Sequence, residues 1–177
     1  MLKKRLVACL LVRNGLIVQS IGFNRYLPVG RPRFPIEFVA RWDVDEIVLL
    51  DMNATLENRT LDTGLLELLS RYCFVPLTVG GGVRTVDDVR RITAAGADKV
   101  AVNAHAAARP QLVSEIADVF GSQCVVVSID CRLEEDGHYQ VYTHSGTKPT
   151  GLSAEKWAKQ VATLGAGEIF LNSIDRD

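Results

Sequence analysis

The chain has 177 residues, 47% hydrophobic and 23% charged, which is apolar material for one packed domain and too much for a disordered one. Its formal net charge of -1, from 20 Lys and Arg against 21 Asp and Glu, excludes a global pull toward nucleic acid or an anionic membrane, so any affinity for anions must be local. No apolar run approaches the roughly 18 residues of a membrane span, and Cys9, Cys73, Cys124 and Cys131 form neither a CxxC pair nor a zinc-type spacing, so free thiols in a cytoplasmic protein are expected.

Basic residues precede the first apolar run, 6–12, in the manner of a signal peptide. The run is short, however, and Arg13, Asn14 and Gly15 follow it in place of a small-residue cleavage site, so it predicts a buried first strand. Apolar residues three and four apart then predict a helix over 35–42, followed by a second strand at 46–50 and a helix over 65–72. The third strand, 75–79, leads to a helix over 85–95 that starts on Thr85 with Asp87 and Asp88 in its first turn and stops at Gly96. A fourth strand at 99–103, a helix over 110–120 and a fifth strand at 125–130 come next. Alternation over 138–145 predicts an extended or hairpin excursion, then a helix over 153–164 begins at Ser153, and the sixth strand covers 168–172.

Strands that are apolar on both faces and alternate with helices belong to a parallel sheet covered by helices, hence to an α/β fold. The sequence DEIVLLD at 45–51 is echoed by GEIFLNS at 167–173. Such an echo is expected of a barrel made of two related halves and not of a doubly wound sheet. A complete (β/α)8 TIM barrel takes eight strands and about 250 residues. The expectation is therefore a single domain over 1–177 containing about the first six strands and ending at or just after the sixth. An unclosed barrel of that kind exposes sheet edges and core, which predicts a fragment, self-association or pairing with a second half.

Gly80, Gly81 and Gly82 lie between the third strand and its helix, where backbone amides can approach a phosphate. Gly81, Gly82 and, at the end of the fourth strand, Asn103 are the candidate phosphate ligands. All strand C-termini of a barrel share one face, which brings Asp51, Asp130, Asp175 and Asp177 toward one mouth. Asp130 ends an otherwise apolar strand and is the candidate proton-transfer group. Arg5, Glu46, Lys99 and Glu168 sit at the opposite strand ends with alternating signs, a pattern that can close a ring of salt bridges across the barrel axis. His105, His138 and His144 lack metal-ligand spacing and are assigned to loops, so neither metal nor cofactor is expected.

The stretches KRLVACL, DEIVLLD, PLTVGGGVRTVDD, GADKVAVNA, FGSQCVVVSID, VYTHSGTKPTGL and GAGEIFLNSIDRD resemble, in order and spacing, the cyclase subunit of imidazole glycerol phosphate synthase, a lyase of histidine biosynthesis. The resemblance implies a barrel that takes ammonia from a glutaminase docked at its bottom face, as a heterodimer, and reacts it at the top with a ribotide carrying two phosphates. It implies that Asp130 is one of two catalytic carboxylates, that Gly81, Gly82 and Asn103 hold one phosphate, that Asp177 lies near the second, and that Arg5, Glu46, Lys99 and Glu168 form an ammonia gate. Where the family places its other catalytic Asp this chain has Leu11, with Gln19 for a loop lysine and Asn172 for a threonine. These departures resemble a divergent branch linked to surface-sugar biosynthesis, in which the barrel channels ammonia to a separate sugar-modifying enzyme.

Overall fold

The structure, a computed structural model, describes residues 4–177. In chain order its strands are β1 (Val7–Arg13), β2 (Leu16–Ile21), β3 (Arg25–Gly30), β4 (Glu46–Asp51), β5 (Leu77–Gly80), β6 (Lys99–Val102), β7 (Val125–Leu133), β8 (Tyr139–Thr143), β9 (Lys148–Ser153) and β10 (Glu168–Ser173). The helices are α1 (Arg33–Ala40), α2 (Thr63–Ser70), α3 (Val86–Ala94), α4 (Ala104–Ala108), α5 (Gln111–Phe120) and α6 (Ala154–Thr163). β1, β4, β5, β6, β7 and β10 pair in parallel in that order. Among the described residues β1 and β10 do not pair, so the sheet curves as six barrel strands and is not closed.

Register decides which side chains meet. Cys9 lies beside Val48, Val48 beside Thr78, Gly80 beside Ala101, Ala101 beside Val126, and Asp130 beside Asn172. All of these face the inside of the curve, because side chains alternate with period two. The intervening positions, Ile47, Leu49, Val79, Val100, Val102, Val127 and Ile129 among them, face outward and pack against Ile36, Leu66, Val89, Ile92, Leu112, Ile116 and Trp157 of the helices. The main core is this outer layer, in which each fully buried aliphatic side chain contributes about 1.5–3 kcal/mol. Small residues are required inside, since a Cβ on Gly80 would come within 2.7 Å of Leu50 Cδ2 and 2.9 Å of Ala101 Cβ.

Local chemistry sets the helix starts. Asp62 accepts from the Gly64 and Leu65 amides before α2, and Ser153 accepts from Lys156 before α6. Thr85 and Asp88 form a reciprocal capping box at α3. The covering layer thins at β10, where Ile169 is 39% and Leu171 62% exposed on the outer side, because α6 packs against β7, β8 and β9.

Two features depart from the sequence reading. β2 and β3 form an antiparallel hairpin on β1 that periodicity did not indicate. Its first turn is the pair Asn14 and Gly15, with φ of 52° and 76°, the left-handed geometry of a two-residue hairpin turn. α4 is likewise additional. The excursion expected over 138–145 exists as the β8–β9 hairpin and continues to Ser153. No helix among the described residues is long and apolar enough to cross a membrane.

Candidate functional site

At the N-terminal strand ends, four charged side chains close a ring. Arg5 Nη1 reaches Glu46 Oε2 at 3.1 Å, Lys99 Nζ lies 2.8 Å from both Glu46 Oε2 and Glu168 Oε1, and Arg5 Nη2 returns to Glu168 at 3.0 Å. Thr78 donates its hydroxyl to the remaining Glu46 oxygen at 2.6 Å. Glu46 is 2% exposed, a position tolerated by a carboxylate only when its oxygens are all engaged. Hydrogen bonding and charge from Glu168, then Glu46, raise Arg5 above its ordinary pKa. Burial works against the charge on Lys99 and on Glu168, but their mutual hydrogen bonds prevail, so Lys99 is raised and Glu168 lowered.

Asn103 lies four residues above Lys99 on the same strand line, about 13 Å at strand spacing, on the wall of a cavity of about 360 Å³. Cys9, Leu11, Leu50, Ala101, Ser128, Asp130, Phe170 and Asn172 form its inner part. The β2–β3 hairpin adds Gln19, Ser20 and Phe23 near the mouth, and the β8–β9 turn adds His144 and Ser145.

Asp130 is 7% exposed. Asn103 Nδ2 donates to its Oδ2 and Asn172 Nδ2 to its Oδ1, each at 2.8 Å. Burial raises its pKa, and the two carboxamides only partly offset this. The cause is desolvation without an opposing cation. Cys9 lies in the same enclosure. Burial, then the negative Asp130 and Asp177, push its thiol up to about 12, although the residue counts as exposed. Its open surface faces the cavity and the groove along the unclosed side of β1, so the thiol stays protonated and is a poor nucleophile.

The other strand-end aspartates serve their loops. Asp51 accepts from the Asn53 and Ala54 amides and from Arg59 Nη1 at 2.6 Å. Asp175 accepts from the Leu133 amide at 2.9 Å. Asp177 accepts from the Ser20 hydroxyl and from the Phe23 amide at 3.0 Å, tying the β2–β3 hairpin over the cavity. Asp51, Asp130 and Asp177 therefore reach the cavity and Asp175 does not line it; Asp130 alone of the four is held by no loop amide.

Gly81 and Gly82 border the cavity with φ of 126° and 67°. A Cβ on Gly82 would lie 1.8 Å from the Arg59 carbonyl oxygen, and one on Gly81 2.7 Å from that of Asp51. Close packing on the loop after β4 thus demands glycine here irrespective of any ligand. The histidines correct the sequence reading in part. His138 is exposed beside Asp136, whereas His105 and His144 line the cavity mouth. Desolvation, then Arg84 and His144, lower the pKa of His105. Ser20 and Phe23 of the hairpin are cavity residues that the sequence reading does not reach, and Asn14–Gly15 is the signal that could locate them. Among the described residues no group of three or more His, Cys, Asp or Glu side chains could hold a metal ion.

The sequence model of the histidine biosynthesis protein family matches residues 5–177. The chain belongs to the histidine biosynthesis protein family. The family fold is the (β/α)8 barrel, and the six parallel strands and crossover helices described above are an open part of it. Within this histidine biosynthesis barrel, the inward position of β1 level with Leu50 carries Leu11, an apolar side chain.

Proposed function

We propose that this family member is a catalytically altered relative of the cyclase, a barrel that docks a glutaminase and passes its ammonia to a separate acceptor enzyme. The observation carrying this reading is Asp130 held on both oxygens by carboxamides, with Leu11 on the inner wall where the resemblance to the cyclase places a second carboxylate. Cyclisation needs one group to give a proton and another to take one, and losing a general acid or base costs about 100- to 10,000-fold in rate. Leucine can do neither.

Docking is supported at the other end of the barrel. Leu6, Trp42 and Phe74 are 60%, 67% and 82% exposed, and all three lie in segments that enter strands, on the same face as the Arg5–Glu46–Lys99–Glu168 ring. Trp42 is held by Phe38 at 4.6 Å between ring centroids. Exposed large apolar residues on one face suit a protein partner, and the ring on that face is where a small neutral molecule would enter the barrel. The second reading, an active cyclase on a phosphorylated ribotide, is favoured by Asp130 persisting next to Asn103 and close to Gly81 and Gly82.

Glutamine hydrolysis and ribotide consumption, followed together in a mixture of this protein with a glutaminase of the same system, test the proposal. Stimulated hydrolysis without ribotide consumption is the expected result. Ribotide consumption supports the cyclase, and no complex with the glutaminase removes the ammonia-passing reading.

A further inference from the structure

The cavity floor holds a charge that the protein leaves unneutralised. Among the described residues Asp130 makes no ion pair, whereas Asp51 at the neighbouring wall is paired with Arg59. No Lys or Arg occurs among the residues lining the cavity, and Gln19 is uncharged. An ionised carboxylate only accepts hydrogen bonds, so Asn103 and Asn172 must turn their N–H groups toward Asp130. Each carboxamide then presents its carbonyl oxygen elsewhere. Neither carbonyl accepts a hydrogen bond from another described side chain, and no buried side-chain oxygen lacks a partner, so both carbonyls keep open surface, on two residues that line the cavity. The floor is thus a carboxylate with spare lone pairs between two amide carbonyls, an acceptor-only surface with a negative charge. Leu11, Leu50 and Phe170 supply apolar wall around it, which strengthens any charge interaction made there.

We propose that this floor is a binding site for a protonated tetrahedral nitrogen, whose N–H groups donate to Asp130 and to the Asn103 and Asn172 carbonyls. Free ammonium and the amino group of a larger ligand share this chemistry, and the choice of ammonium as first probe rests on the ammonia-passing reading. Leu11 has a role in it, since an Asp at that position would add a competing charge at the same wall.

The test is a titration of the intact protein at fixed pH and ionic strength with ammonium, methylammonium, tetramethylammonium and sodium chlorides, read from the carbon-13 resonance of the Asp130 carboxyl. A saturable response to a cation with N–H donors, at least tenfold tighter than to sodium or tetramethylammonium, is expected. Saturation by ammonium alone assigns the site to the free ion, and equal or tighter binding of methylammonium assigns it to an amino-bearing ligand. An equal response to all four salts overturns the inference. Asn172→Ala, read on the same resonance, is expected to weaken binding at least fivefold, and unchanged affinity in that variant also overturns it. Glutaminase stimulation without a saturable response removes this inference and leaves the proposed function standing; the reverse result removes the proposed function alone.

Discussion

Asp130 carries the most consequential charge in the molecule because burial disfavours it and no cation answers it. Its pKa is raised in the folded chain, so the protonated form is the one that folding favours. That contribution is complete below the unfolded value, near 3.9, and is lost as pH rises through the folded value. At neutral pH the ionised group is a net cost. Asp130→Asn keeps the shape, and one neighbouring carboxamide can flip to present its carbonyl. The variant is expected to be more stable by on the order of 1 kcal/mol at pH 7, with the gain vanishing toward pH 3, as read from urea midpoints across pH. A variant destabilised at neutral pH would show that Asp130 is satisfied as it stands. Gly82 gives a residue-level prediction of opposite sign. A methyl group there meets the Arg59 carbonyl at 1.8 Å with φ at 67°, so Gly82→Ala should cost about 3 kcal/mol or more through strain and displacement. Thermal unfolding checks this, and a loss below about 1 kcal/mol would mean that the loop after β4 yields easily.

At the scale of elements, the ring joins the segment leading into β1 to β4, β6 and β10, tying together strands far apart in sequence. Lys99→Met leaves Glu46 buried with Arg5 as its one remaining cation, and a loss of about 3 kcal/mol is expected. A double-mutant cycle with Glu46→Gln should recover part of it, because the stranded charge goes too. The Glu168 contribution is present above the ordinary Glu range and is lost as pH falls through its lowered value. That of Lys99 is present below the ordinary Lys range and is lost as pH rises through its raised value. Across neutral pH Lys99 and Glu168 therefore both stay charged. The strands bearing these residues were legible in the sequence because parallel strands buried on both faces leave continuous apolar runs. The ring was legible as alternating signs at strand starts. The β2–β3 hairpin was not, because its period-two pattern is short and half exposed, and Asn14 and Gly15 after an apolar run read as the end of a strand. Of its side chains on the cavity, Ser20 and Phe23 went unread with it. His105 stands in the short helix α4 and not in a loop, whereas His144 lies in the β8–β9 turn as expected; His144 and Ser145 hold φ of 53° and 56° there, and that both histidines border the cavity mouth is set by backbone geometry that composition does not disclose.

For the whole molecule, the fold class followed from the strand and helix alternation, and the choice of barrel from the echo between the second and sixth parallel strands. The two ends of the inner wall were legible in the sequence; that Asn103 and Asn172 hold both oxygens of Asp130 was not. The ring lies at one end, small residues at mid-height, and at the other end a lone carboxylate between two carboxamides faces apolar side chains. The proposed loss of cyclisation rests on that division more than on the glycine turn. Exposed Leu171 on β10 and the groove beside Cys9 on β1 mark the two sides on which the sheet is open. The most direct measurement is the consumption of the phosphorylated ribotide by this protein in saturating ammonium, with no glutaminase needed. No turnover above the uncatalysed rate is predicted; turnover that falls 100-fold or more in Asp130→Asn would contradict the account and return Asp130 to service as a general acid or base.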